Sequence, residues 1–231
     1  MVDNTLSPHG GTLVERVASS HDARAVTGLT QIPVRGQIAT ECLSLGYGFF
    51  SPLEGFMTEA DVDGVAKDMT LANGYVWSVP ILFDLSAEQV SELGIKAGET
   101  VLLTYQDQPQ AIFEVEDVYA YDKEFLAAQI YGTTDEAHPG VQRTYKYQDR
   151  FLGGKITLVS PPHIQEPFDR FFFTPRQMRE RFAENGWQKV VAYQSRNVPH
   201  VGHEWLMKSA WFAAGADAVL VSAVIGEKKV G

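Results

Sequence analysis

The sequence predicts two domains of different class: a β-rich α+β domain over residues 1–167, then an α/β domain over 168–231. Three observations carry this. Between residues 77 and 118, apolar runs rich in Val, Ile, Leu, Phe and Tyr follow one another, with turns and one short helix as the connections. Between 188 and 225 the order becomes apolar run, polar loop, amphipathic run, apolar run, which is the order of a strand, a helix and a second, parallel strand. Val159-Ser160-Pro161-Pro162-His163 is a proline-rich break between the two regions.

Up to about Gly48 the apolar residues keep no long period, and Gly10-Gly11, Gly28, Pro33, Gly36 and Gly46 punctuate them. This predicts turns, strand pieces and one short helix near Leu13 to Ser19. Ser51-Pro52-Leu53-Glu54-Gly55-Phe56-Met57 is a compact apolar loop. Thr58 with Asp61 three residues on starts a helix to about Lys67. Strands are expected over Trp77–Phe83, Thr100–Tyr105 and Ala111–Val118, the last two joined as a hairpin across Gln108-Pro109. Ser86 and Gln89 are a capping pair for a short helix that ends near Gly94. In Tyr131 to Gly140, Thr133, Thr134, Asp135 and His138 have the chemistry of loop closure and capping.

Past the break, Thr174 as N-cap, Pro175 in the first turn and Gln177 at the third position agree on where a helix begins, and Asn185-Gly186 ends it. Gln188–Tyr193 reads as a buried strand and Ala218–Ile225 as another. Between them Trp205, Leu206, Ala210 and Trp211 recur at helical spacing until Gly215.

Composition narrows the function. A chain of 231 residues with 45% hydrophobic and 21% charged residues can bury a real core. No apolar run reaches the roughly 20 residues of a membrane helix, and MVDNTLSPHGG lacks the basic start and apolar stretch of a signal peptide. The single cysteine, Cys42, excludes an internal disulfide and fits a reducing cytoplasm. The net charge of −10 argues against general nucleic-acid binding. It is unevenly spread: residues 1–169 hold 10 Lys and Arg against 24 Asp and Glu, residues 170–231 hold 9 against 5. A locally positive field on an acidic protein suits small anionic substrates and repels polyanions.

The chemistry concentrates in Gln194-Ser195-Arg196-Asn197-Val198-Pro199-His200-Val201-Gly202-His203-Glu204. A loop that leaves the carboxyl end of a parallel strand and opens a helix collects free N–H groups and a positive dipole end, so anions bind there. His200 and His203 share one side of the first turn, and Gly202 leaves room for a phosphate near the backbone. A zinc reading of His-x-x-His lacks a third ligand, and Glu204 follows the second His, so the zinc-peptidase pattern is not met. Helix capping by the two histidines is the alternative to phosphate binding.

The run QSRNVPHVGHE resembles the signature of the ATP sulfurylase (sulfate adenylyltransferase) family. His-x-Gly-His alone occurs in many nucleotidyltransferases, and its combination with Gln194, Arg196 and Asn197 is much more specific. Pro8-His9-Gly10-Gly11, the Ser51–Met57 loop, Tyr131-Gly132-Thr133-Thr134-Asp135, His138-Pro139-Gly140-Val141, and Thr174-Pro175 leading to Gly186-Trp187 agree with it, so the likeness runs from residue 8 to the end. The resemblance implies a PUA-like N-terminal domain and a Rossmann-like nucleotidyltransferase domain. Family members continue past the equivalent of Gly231 with a Gly-Arg-Asp-His-type segment that helps hold ATP. The second domain is therefore expected to be incomplete here, and the 231 residues alone to be poorly active. Val201 stands where many relatives have Arg, which removes one phosphate contact.

By the same resemblance, sulfate attacks the α-phosphorus of ATP and expels pyrophosphate, leaving adenosine 5′-phosphosulfate, in sulfate assimilation or, run in reverse, in sulfur oxidation. Gln194 and Arg196 bind sulfate. Gln194, Asn197, His200, Gly202 and His203 bind the nucleotide. Ser195, Arg196, Asn197, His200 and His203 form the catalytic set. Mg²⁺ comes with ATP, no metal site is built into the protein, and the full-length form is a homo-oligomer of the cytoplasm. The alternatives are another nucleotidyltransferase of the His-x-Gly-His class and an inactive anion-binding fragment.

Overall fold

A computed structural model describes residues 7–19, 26–162, 164 and 166–224, and the chain divides into two units between Phe172 and Phe173. The first unit runs β1 (Thr30–Pro33), α1 (Gly36–Gly46), β2 (Gly55–Phe56), α2 (Glu59–Asp68), β3 (Phe83–Leu85), α3 (Ala87–Glu92), β4 (Thr100–Tyr105), β5 (Gln108–Tyr119), α4 (Lys123–Tyr131), α5 (Pro139–Tyr145) and β6 (Arg150–Leu158). The strands make one sheet in the order β1-β4-β5-β6-β2, with β3 also on β6. The β1–β4 ladder is parallel; the β4–β5, β5–β6, β2–β6 and β3–β6 ladders are antiparallel.

Under the sheet, the rings of Phe56, Phe83 and Phe113 meet with centroids 5.4 to 5.8 Å apart, all three buried. Such burial contributes about 1.5–3 kcal/mol per side chain, and edge-to-face rings add a little more. Ile38, Cys42 and Leu45 of α1 and Val62, Val65 and Ala66 of α2 pack into the same core.

Local signals fixed several helix starts. Thr58 accepts from Asp61 N–H, Ser86 and Gln89 form a reciprocal capping box, and His138 caps α5 through Nδ1 to Gly140 N–H. Three expectations are corrected. Residues 13–19 are not a helix: Val17 bridges Leu158 in parallel, and Arg16 N–H donates to the Gly46 carbonyl. Residues 77–82 are not a strand; pairing begins at Phe83, because Pro80 lacks a donor for a ladder. The hairpin turns at Gln106-Asp107, both at positive φ, rather than at Gln108-Pro109, which already belongs to β5.

Two carboxylates are drawn out of solvent, Glu41 on α1 and Asp84 on β3. Asp84 is buried and satisfied: Arg35 Nη2 donates to it at 2.5 Å and Gln148 N–H at 2.8 Å. Glu41 accepts from Gln37 Nε2 at 2.9 Å, but its Oε2 is buried without a partner. Burial therefore raises its pKa above the ordinary 4.5, against the lowering pull of Gln37 and Arg35. A carboxyl with a raised folded pKa costs nothing below its unfolded pKa, destabilises increasingly as pH rises from that value to the folded one, and does so in full above it. Glu41→Gln should raise the thermal midpoint at pH 7 and lose that gain by pH 4. Melting curves of both proteins across this range test it, and a gain independent of pH would refute the charge origin.

The second unit holds α6 (Pro175–Glu184), then β7 (Val190–Ser195), α7 (Val201–Ala214) and β8 (Ala218–Ala223). Thr174 and Gln177 build the α6 capping box with Pro175 in the first turn. β7 and β8 pair in parallel, Val190 opposite Ala218 through Ser195 opposite Ala223, as the apolar, polar, amphipathic, apolar order predicts. β7 lies two residues later than expected at each end, and Ile225 of the expected second strand lies outside the described residues. Gly215 ends α7 in the left-handed region at φ 57°. Among the described residues no helix is long and apolar enough to cross a membrane.

A candidate anion-binding active site

The loop 196–200 runs from the carboxyl end of β7 to the first turn of α7. β7 ends at Gln194 and Ser195, opposite Ser222 and Ala223. The Ser195 hydroxyl accepts from Asn197 N–H at 3.1 Å and lies 3.1 Å from the Asn197 carbonyl. It closes a turn two residues long, which sets the loop's exit from the strand. Gln194, Arg196 and Asn197 are exposed. Among the described residues no carboxylate pairs with Arg196. Glu204, the one acid in the first turn of α7, is bound instead to Lys208 at 2.5 Å, and that bond lowers its pKa.

The two histidines build the helix start together. His200 is the N-cap. Its Nδ1 accepts from Gly202 N–H at 3.0 Å, and His203 Nδ1 accepts from His200 N–H at 3.2 Å. The rings lie 4.0 Å apart between centroids. Capping and a shared face are thus both realised: two of the helix's free N–H groups are satisfied by imidazole nitrogens in place of the usual Ser/Thr and Glu/Gln pair. A Cβ at Gly202 would stand 2.9 Å from His200 Cε1 and 3.1 Å from Nδ1. The space at Gly202 on that side is occupied by the His200 ring, where the sequence suggested a phosphate. Tyr193, which sequence reasoning passed over as a strand residue, sets its ring edge-on to His203 at 6.3 Å; its place two residues before the end of β7 was the available signal.

The arrangement offers one guanidinium with no carboxylate partner among the described residues, two imidazoles, two carboxamides and a helix N-terminus. That is a donor-rich, acid-poor surface suited to tetrahedral anions. Among the described residues no three His, Cys, Asp or Glu side chains group as a metal site. The first unit offers the opposite chemistry. A cavity of about 250 Å³ there is lined by Glu54, Asp61, Glu116 and Lys155 among others. Lys155 is held by Glu54 at 2.7 Å, so the remaining charge is negative and unsuited to sulfate or a nucleotide.

Two family models match the chain, a PUA-like domain over residues 6–161 and ATP-sulfurylase over 169–231. Curated relatives include sulfate adenylyltransferases of Staphylothermus marinus, 39% identical over 228 residues, and Aeropyrum pernix, 40% identical over 228; each match covers 97% of this chain and 58% of the relative. That of Cenarchaeum symbiosum is 37% identical over 231 residues, covering 100% of this chain and 59% of the relative. Among solved structures, the hexameric APS kinase from Thiobacillus denitrificans superposes with a TM-score of 0.73 at 24% identity, over 96% of this chain and 40% of that one, a likeness of fold. The chain spans a little under three fifths of the length of these curated relatives.

Proposed function

The chain belongs to the ATP sulfurylase family, and from that premise we propose that residues 194–204 are the anion-gripping part of a sulfate adenylyltransferase site. The observation that carries this is Arg196, exposed and with no carboxylate partner among the described residues, in the loop that joins a parallel strand to a helix start built by two imidazoles. One sulfate oxygen attacks the α-phosphorus of ATP in line; the new P–O–S bridge forms as the bond to the β-phosphate oxygen breaks, and pyrophosphate leaves. Sulfate is already ionised at neutral pH, so no general base is required. Catalysis then consists of holding two mutually repelling anions in line and neutralising charge as it moves to the leaving group. Arg196 grips two sulfate oxygens, Gln194 adds an amide donor, and Asn197, His200 and His203 donate to the α- and β-phosphates. Ser195 keeps the loop in shape. Mg²⁺ enters with ATP, held by phosphates and water. The reaction belongs to the cytoplasm.

The outer side of α7 bears on what these residues do alone. Val201, Trp205 and Phe212 there are 77%, 69% and 83% exposed. Among the described residues nothing covers them. Nucleoside contacts normally supply the binding energy that aligns the α-phosphorus. The test is sulfate-dependent release of pyrophosphate from MgATP, run on this chain and on one extended to its relatives' length. We expect both to bind sulfate and pyrophosphate, and the extended chain to turn over about a hundredfold faster or more. Equal rates would place the nucleoside contacts within these 231 residues. Release from the extended chain that ignores sulfate and its analogues would refute the reaction and point to another anion as the nucleophile.

A further inference from the structure

We propose that Gly202 and the ring-to-backbone bonds of His200 and His203 form a tautomer lock, which fixes both imidazoles with hydrogen on Nε2 before any ligand arrives. The idea rests on the phosphate-binding reading above, and adds to it a positioning residue and a defined ring state.

Each Nδ1 lies within hydrogen-bond distance of a backbone N–H, Gly202 for His200 and His200 for His203. A nitrogen that accepts from an N–H carries no hydrogen of its own. In a neutral imidazole the hydrogen is then on the other nitrogen, which becomes a donor. Both rings are thereby set to present an Nε2–H and neither to present a lone pair. Oxygen atoms of a phosphate or sulfate are acceptors only, so a free ring would pair with them through just one of its tautomers. The lock removes the wrong one in advance, and the two rings, 4.0 Å apart, are oriented as a pair. Tyr193 braces the outer ring edge-on.

Gly202 is what allows this. The Cβ of any other residue would stand 2.9 Å from His200 Cε1 and 3.1 Å from the capping Nδ1, tighter than carbon atoms tolerate, and the ring would have to leave its cap. The conflict is with one side chain; no backbone stands in the way. A substitution here should therefore spare the helix, in which alanine is intrinsically favoured over glycine, while misplacing the ring.

Long-range proton–nitrogen correlation spectra of the imidazoles read the lock without any substrate, and titration with inorganic pyrophosphate reads its use. In the native chain both rings should show the Nε2–H pattern. Gly202→Ala should lose that pattern at His200, keep its thermal midpoint, and bind pyrophosphate about tenfold more weakly or worse. His203→Asn sets a carboxamide oxygen where Nδ1 accepted; it should keep the helix start and lose affinity by a similar factor. Nδ1–H or mixed tautomers in the native chain would overturn the proposal. So would a Gly202→Ala protein with unchanged tautomers and affinity. A native chain with both rings locked that binds no pyrophosphate would overturn the phosphate reading and leave the lock standing.

Discussion

Arg196→Lys, which keeps the charge, should lower kcat/KM for sulfate-dependent pyrophosphate release by about 10- to 100-fold. The guanidinium is planar and offers two parallel N–H bonds to two oxygens of a tetrahedral anion; an ammonium offers a point charge on a shorter, flexible stem. Among the described residues no carboxylate competes for Arg196, since Glu204 is taken by Lys208, so the fork is available to a ligand. The effect should fall on turnover as well as on the sulfate KM, because a loosely held sulfate leaves the line of attack. The measurement belongs in the extended chain, with sulfate affinity of these 231 residues as the companion readout. Near-normal turnover at saturating sulfate would reduce Arg196 to a source of field.

Gly55→Ala should destabilise the first unit by about 3 kcal/mol, near the upper end for forced overpacking. An added Cβ would lie 1.9 Å from the Gly154 carbonyl oxygen and 2.8 Å from Lys155 Cα. Both are backbone atoms of the strand with which β2 pairs, Gly55 facing Lys155 and Phe56 facing Gly154, and neither can rotate away. Relief requires β2 to lift from β6, which would draw Phe56 out of its contacts with Phe83 and Phe113. Thermal unfolding should show a midpoint lower by roughly 6–12 °C. A loss under 2 °C would mean that the Ser51–Met57 loop accommodates the methyl by sliding as a body.

Caps and glycines mark where the sequence could be read and where it could not. Helices announced by a side-chain cap were legible: Thr58 with Asp61, Ser86 with Gln89, Thr174 with Pro175 and Gln177. α1 was not, because its N-cap is Arg35 with no side-chain bond and its ends are glycines, the residues that elsewhere mark turns. β6 hides a glycine doublet in its middle, which reads as a break. Its reason is tertiary: Gly153 is crowded by Thr58 and Gly154 by the Glu114 carbonyl. In the second unit the strand, loop, helix, strand order has a short period, so topology and the parallel pairing followed from it. The residues of the site were legible by type, as donors without acids. Their bonding was not, since His-x-Gly-His does not reveal that the rings accept from the backbone N–H groups of Gly202 and His200, or that the glycine makes room for one of them.

The position of β6 has a consequence for how the protein is made. β2, β3 and β5 all pair with it, and Val17 bridges its last residue. During synthesis the sheet therefore stays open until residue 158 has left the ribosome. β2 waits through about a hundred further residues, roughly 5–20 s at ordinary translation speeds. Through that interval Phe56 and Phe83 have no sheet to shelter under, while the β4–β5 hairpin can already form. The nascent chain thus leaves apolar surface and strand edges uncovered over one defined window, which closes when Arg150–Leu158 emerges.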